Sequence, residues 1–142
     1  MKPPLTNTII DLMESVLTPD LLSKAERDIP KGAHPTTGHC AVAAEALFFL
    51  LGGKPYGYKA MVATYYVDGE RCTHWWIVNK DGDILDPTAK QFTGTPPYHL
   101  GKGTGFQGIR YNDYGPVPSK RARILLNRLY EKYGYEDPSI TN

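Results

Sequence analysis

Cys40-Ala41-Val42-Ala43-Ala44-Glu45-Ala46-Leu47-Phe48-Phe49-Leu50-Leu51 is the stretch whose reading decides the fold. Only Glu45 interrupts an apolar run too long for a strand, so the segment reads as a helix apolar on nearly every side and therefore buried at the centre. Gly52-Gly53 ends it, and Pro55 prevents its resumption. Gly38-His39 precede it, which puts Cys40 in the first turn, where backbone N–H groups have no acceptor within the helix.

Downstream of this helix, Tyr58 to Val67 is aromatic, β-branched or small and reads as a strand. Asp68-Gly69 is a hairpin signal, and Cys72 to Val78 forms the second strand. Lys80-Asp81-Gly82 turns the chain again into a short third strand, Asp83 to Asp86. The stretch from Gly94 to Gly115 is rich in Gly, Pro, Tyr and Asn and reads as loop. A last helix begins near Ser119, with Ala122, Leu125, Leu126, Leu129, Tyr130 and Tyr133 on one face. Upstream, Thr6 or Asn7 caps a helix in which Ile9, Ile10, Met13, Val16 and Leu17 recur at helical spacing. Thr18-Pro19-Asp20 starts a second short helix that Leu21, Leu22 and Ala25 continue. The expected order is helices over about 6–28, the Cys40 helix over about 40–51, a β-meander over about 57–86, a loop over about 93–117 and a helix over about 119–133. That is a single α+β domain spanning 1–142.

A chain of 142 residues, 41% hydrophobic and 22% charged, has the composition of an ordinary globular domain with its own core. A net charge of +1 gives no electrostatic footprint for nucleic acid or an anionic membrane surface. Two cysteines make no disulfide framework and favour a reducing compartment. The Met1-Lys2-Pro3-Pro4 start lacks the apolar core of a signal peptide, and no apolar run is long enough to span a bilayer. A cytoplasmic protein is expected.

The chemistry-bearing residues are Cys40, His74 and Asp86. A thiol of ordinary pKa, about 8.5, is mostly protonated at neutral pH. It becomes a nucleophile when a helix N-terminus or an imidazolium stabilises the thiolate. The same first-turn N–H groups stabilise the oxyanion formed when a carbonyl is attacked, and Gly38 lets the backbone approach a substrate closely. The turn at 80–82 sets the rest. If Lys80-Asp81-Gly82 is a three-residue loop with Gly82 in the left-handed region, Asn79 pairs with Asp83 and Asp86 lies opposite Trp76. Asp86 then shares a face with His74 as its diagonal neighbour, roughly 7–8 Å away at the backbone. A two-residue turn would put Asp86 on the other face.

Gly38-His39-Cys40-Ala41-Val42-Ala43, Thr73-His74-Trp75-Trp76 and Leu85-Asp86-Pro87-Thr88-Ala89-Lys90-Gln91-Phe92, in that order, resemble the transglutaminase-like branch of the papain-like cysteine enzymes. They resemble in particular small bacterial and phage proteins of that kind. The resemblance covers about residues 36–92. It implies a papain-like core, Cys40 as nucleophile, His74 as general base and acid, and Asp86 as the residue orienting the imidazole. It also implies acyl transfer from an amide of a peptide or protein, by hydrolysis, deamidation or transfer to an amine, without metal or organic cofactor. The chain has no Gln shortly before Cys40 to act as papain's side-chain oxyanion donor, so His39, Thr37 or a backbone N–H would substitute. Trp75 or Trp76 would wall the cleft, with residues 94–115 helping to define the substrate.

Other readings stand beside this one. A cysteine on an apolar helix is commonly packing, and His74 beside two tryptophans can be a hydrogen-bonded core residue. Asp86-Pro87-Thr88 can be an ordinary turn. Cys72, on the face of His74, is a rival nucleophile without a helix N-terminus to activate it. Cys40, Cys72, His39 and His74 offer zinc-ligating types without the paired spacings of structural zinc motifs. Gly101-Lys102-Gly103-Thr104-Gly105 suggests a phosphate loop but lacks the strand and helix that a phosphate loop requires. The basic residues of the last helix read as a solvated face. Glu45 either reaches the cleft edge or pairs with a cation. From another functional class, a non-catalytic binding module would use the same fold and an aromatic groove.

Overall fold

In the computed structural model, residues 10–11, 13–21, 39–104, 110–112 and 115–133 are described. The readings placed on Thr6, Asn7, Ile9, Leu22, Ala25, Thr37, Gly38 and Gly105 lie outside them. The apolar run is α1 (Cys40–Leu50), in which Cys40 and every residue from Val42 to Phe48 are buried. Its alanines leave short side chains on several sides, so neighbours approach closely all round. It packs against the sheet, chiefly β2 (Glu70–Val78), and against α2 (Lys120–Tyr133).

The sheet starts with β1 (Lys59–Val67) and β2, paired antiparallel from Lys59↔Val78 to Val67↔Glu70. Two residues join them, Asp68 at φ 49° and Gly69 at φ 82°, the pair of positive angles that an Asp-Gly turn between twisted strands adopts. Pairing runs right up to this turn, so β2 starts at Glu70 rather than at Cys72. β3 (Ile84–Leu85) pairs with β2 through Ile77↔Leu85 and Val78↔Ile84. Gly82 sits at φ 82°, and the Asn79 N–H donates to the Asp83 carbonyl at 3.1 Å. The loop is therefore the three-residue type. The Asn79 Oδ1 pins it by accepting from the N–H groups of Asp81 at 3.0 Å and Asp83 at 2.9 Å.

The segment read as loop holds more order than its composition suggests. A turn of 3-10 helix spans Tyr98–Leu100, and Lys102–Thr104 forms β4, which pairs with β1 through Ala60↔Thr104 and Val62↔Lys102. The sheet order is β3-β2-β1-β4. β4 is an exposed edge strand without an inward apolar face, so no alternation marks it in the sequence. Its strand geometry also removes Lys102-Gly103-Thr104 from consideration as a phosphate loop. β5 (Arg110–Asn112) and β6 (Gly115–Val117) form a separate two-stranded ribbon.

Of the stripe expected from spacing, α2 buries Ala122, Leu125, Leu126 and Leu129 and half-buries Tyr130, beside Met13, Val16, Leu17 and Leu21 of the N-terminal segment; the Tyr133 side chain lies outside those described. That segment is helical at 10–11 and 13–14 and makes a 3-10 turn at Pro19–Leu21. Two cations of α2 hold it rather than facing solvent alone. Arg128 donates to the Val16 carbonyl at 3.2 Å and to Thr18 Oγ1 at 2.7 Å, and pairs with Asp20 at 2.5 Å. Arg121 donates to the Leu21 carbonyl at 2.8 Å. Among the described residues the protein is thus two helices and a four-stranded antiparallel sheet, an α+β arrangement. No helix among them is long and apolar enough to cross a membrane.

Glu45 has a structural task. Its carboxylate accepts from the Ser119 N–H at 2.6 Å and the Ser119 hydroxyl at 2.8 Å, while the Ser119 Oγ accepts from the Ala122 N–H at 3.3 Å. Ser119 thereby caps α2, and a carboxylate from α1 sits at that helix's positive end. Burial holds the Glu45 carboxyl above its ordinary 4.5, and the Ser119 bonds and Arg121 offset this only in part. A carboxyl whose pKa is raised on folding binds more protons in the folded state, so its contribution is largest in acid. Glu45→Ala should lower unfolding stability by about 1–3 kcal/mol. In urea titrations that deficit should be greatest near pH 4.5 and shrink as pH rises through the raised value.

Candidate active site

Alternation along β2 sends His74 and Trp76 to one face and Trp75 and Ile77 to the other. Ile77 and Trp75 join the main core. His74 and Trp76, 0% and 1% exposed, form a second cluster on the opposite face. The imidazole stacks on Trp76 at 5.6 Å and 27°, and meets Phe92 edge-on at 4.7 Å. Tyr98 packs edge-on against Trp76 at 5.1 Å. Trp76 therefore walls His74, whereas Trp75 belongs to the side that meets the core.

The register of the Gly82 turn brings Asp86 to His74. Asp86 follows β3 at the position facing Trp76, and its Oδ2 accepts from His74 Nε2 at 2.6 Å. The same oxygen accepts from the Tyr98 hydroxyl at 2.8 Å, and Oδ1 accepts from the Thr88 N–H at 3.1 Å. Three donors compensate a carboxylate whose side chain is only 3% exposed. Burial holds the Tyr98 phenol well above its ordinary value of 10, and the adjoining carboxylate adds to the effect.

With Nε2 held by a carboxylate acceptor, the proton of the neutral imidazole resides there and Nδ1 keeps its lone pair. Nδ1 accepts from the Gln91 side-chain amide at 3.4 Å, and that amide also donates to Thr88 Oγ1 at 3.0 Å. Gln91 lies in a 3-10 turn, Ala89–Gln91, that Lys90 ties to Glu14 at 3.2 Å.

Cys40 opens α1, whose first helical bond runs from the Ala43 N–H to the His39 carbonyl at 2.9 Å. Its thiol, 8% exposed, donates to the Thr73 carbonyl at 3.8 Å, the peptide unit leading into His74. β3 pairs β2 only at Ile77 and Val78, so the strand's outer edge is open where the sulfur meets it. His39 is placed differently from the expectation of a substrate-facing donor. Its ring is 1% exposed, and its Nε2 bonds the Thr18 carbonyl at 2.9 Å. In that tautomer Nδ1 carries no proton, so the neutral side chain has no donor left for an oxyanion. The backbone N–H groups at the start of α1 remain. Gly38, the other expected oxyanion residue, lies outside the described residues.

Cys72 lies directly across from Tyr65 and donates to the Glu70 carbonyl at 3.7 Å. Burial raises the Tyr65 phenol above its ordinary 10, and the sulfurs of Cys72 and then Cys40 push the same way. Both cysteines are free thiols. Among the described residues no three or more His, Cys, Asp or Glu side chains are grouped as metal ligands, and both His39 and His74 already engage oxygen partners.

Sequence reasoning missed Tyr98 and Gln91. Tyr98 comes from the stretch read as loop, and only a three-dimensional path returns it to Asp86. Gln91 had one available signal, its place five residues after Asp86 in a short turn that must fold back over the same strand. Comparison with protein-family models, curated proteins and solved structures gives no match for this chain.

The site is closely packed on its outer side. A Cβ at Gly101 would stand 2.5 Å from Trp76 Cζ2, 2.8 Å from Cη2 and 3.0 Å from the Tyr98 carbonyl oxygen. Gly101→Ala should therefore displace Trp76 and lower stability by about 1–3 kcal/mol, with a change in near-ultraviolet circular dichroism from the disturbed indole. In alkaline spectrophotometric titration, Tyr98 should ionise later than an ordinary phenol. In Tyr98→Phe the late amplitude should fall by one phenol, leaving that of Tyr65.

Proposed function

We propose that this protein is a thiol-dependent acyl-transfer enzyme acting on an amide of a peptide or protein, built on a papain-like, transglutaminase-like core. Cys40 is the nucleophile, His74 the general base and acid, and Asp86 the residue that fixes the imidazole. The observation that carries the reading is the 2.6 Å bond between His74 Nε2 and a fully engaged Asp86, on a residue adjoining the carbonyl that the Cys40 thiol touches. That bond leaves Nδ1 as the basic nitrogen, the requirement for a base beside a thiol.

In the proposed reaction the Cys40 S–H bond breaks and its proton passes to His74 Nδ1. Sulfur attacks the amide carbon, and the oxyanion is met by backbone N–H groups at the start of α1. His74 Nδ1–H then protonates the departing nitrogen as the C–N bond breaks, leaving a thioester. Water or an amine takes the acyl group and the thiol is restored. No step calls for a metal or organic cofactor, and a reducing, cytoplasmic setting suits the free thiol.

The competing reading, a non-catalytic binding module, draws on the 8% exposure of Cys40 and its bond to the Thr73 carbonyl. Iodoacetamide labelling in a Cys72→Ser background separates the two. The enzyme reading expects Cys40 to react at pH 6 about tenfold or more faster than an ordinary thiol, with that advantage lost in His74→Ala and reduced in Asp86→Asn. Slow labelling that follows an ordinary thiol titration, unchanged by His74→Ala, would overturn the enzyme reading and support the binding module.

A further inference from the structure

The proposed mechanism leaves the Thr88–Gln91 pair without a role, yet the pair occupies the nitrogen that the mechanism needs. Gln91 Nε2 stands 3.4 Å from His74 Nδ1 and 3.0 Å from Thr88 Oγ1, and Thr88 is 0% exposed. Because Nε2 of His74 is held by Asp86, Nδ1 is the only ring position left to take the thiol proton. In the proposed mechanism the Gln91 amide and the Cys40 thiol would thus compete for one lone pair, while the thiol donates to the Thr73 carbonyl.

We infer that Gln91 is a positioning residue that holds the site in its neutral, resting state, with Thr88 orienting its amide. The inference rests on the reading of Cys40 and His74 as a thiol–imidazole pair. An N–H donor at Nδ1 stabilises the unprotonated nitrogen and so opposes proton transfer from sulfur. Turning the amide by half a rotation reverses the preference. The Gln91 carbonyl oxygen then takes the place of its nitrogen, accepting from Nδ1–H of the imidazolium and from the Thr88 hydroxyl, which can donate as well as accept. One side chain thus supports the ring before and after it receives a proton, and the amide's orientation selects between the two states. The titratable groups arranged about the imidazole are Asp86 on Nε2, Tyr98 through Asp86, and Cys40 against the preceding peptide. Cys72 and Tyr65 lie along the same sheet face.

The test compares wild type with Gln91→Leu and Thr88→Val, all in the Cys72→Ser background. Two readouts are used: the pH profile of Cys40 alkylation by iodoacetamide, and the imidazole 15N resonances of His74. Removing the amide donor should raise the alkylation rate near pH 6–7 about threefold to tenfold, the effect on an equilibrium of one ordinary hydrogen bond. It should also move the His74 Nδ1 resonance toward the protonated position at a given pH, with Thr88→Val giving a smaller shift in the same direction. Gln91→Glu, whose carboxylate accepts but does not donate, should move both readouts further the same way. Unchanged His74 resonances in Gln91→Leu and Gln91→Glu would overturn the assignment of Gln91. If instead the resonances shift while alkylation stays indifferent to both Gln91→Leu and His74→Ala, Gln91 controls the ring but Cys40 is not its partner, which overturns the thiol–imidazole reading.

Discussion

A carboxylate inside a protein is tolerable only when its oxygens are occupied by donors, and the arrangement around Asp86 follows from that requirement. Its donors are His74 on β2, the Thr88 N–H just beyond β3, and Tyr98 in the turn before β4. Removing one partner from such a buried pair leaves an uncompensated polar group, at a cost of about 3–5 kcal/mol. The segment from 86 to 101 has little regular structure beyond two 3-10 turns, and this one side chain bonds it at both Thr88 and Tyr98. Phe92, Tyr98 and Gly101 then close over the His74–Trp76 stack because the chain that carries them is already anchored.

A second buried carboxylate organises the other end of the molecule. Glu45 stands five residues after Cys40 on α1, which at the helical advance places the two side chains about 140° apart. Cys40 accordingly reaches β2 while Glu45 reaches the first turn of α2. One helix, apolar elsewhere, thus joins two polar anchors and fixes the thiol relative to the sheet and α2 relative to the thiol. This explains a glutamate in a run otherwise suited to a core: its two oxygens are occupied by the Ser119 N–H and hydroxyl at the start of a neighbouring helix.

Legibility in the sequence followed the range of the interactions involved. The two hairpin turns were readable because Asp68-Gly69 and Asn79 to Gly82 contain their own causes, positive φ at particular positions and a side chain bonding its neighbours. From the second turn came the strand register, and from the register the meeting of His74 and Asp86. The burial of α1 was likewise written in its apolar run, and the buried stripe of α2 in its spacing. β4 was not, since an exposed three-residue edge of Lys, Gly and Thr takes its form from β1 rather than from its own pattern. Tyr98, Gln91, the Ser119 bonds of Glu45 and the arginine bonds of α2 all depend on partners brought near by folding, so residue type left Glu45 between the cleft edge and a cation and read the arginines as a solvated face.

The sulfur of Cys40 stands between two electrostatic preferences. The N-terminal end of α1 favours negative charge, while the Thr73 carbonyl accepts a hydrogen bond and carries a partial negative charge that repels an anion. A protonated thiol can satisfy the carbonyl; a thiolate has no proton to offer and is driven from it toward the N–H groups at the helix start. The thiol on the Thr73 carbonyl and the imidazole held by Asp86 thus meet the same strand, one through its backbone and the other through its side chain.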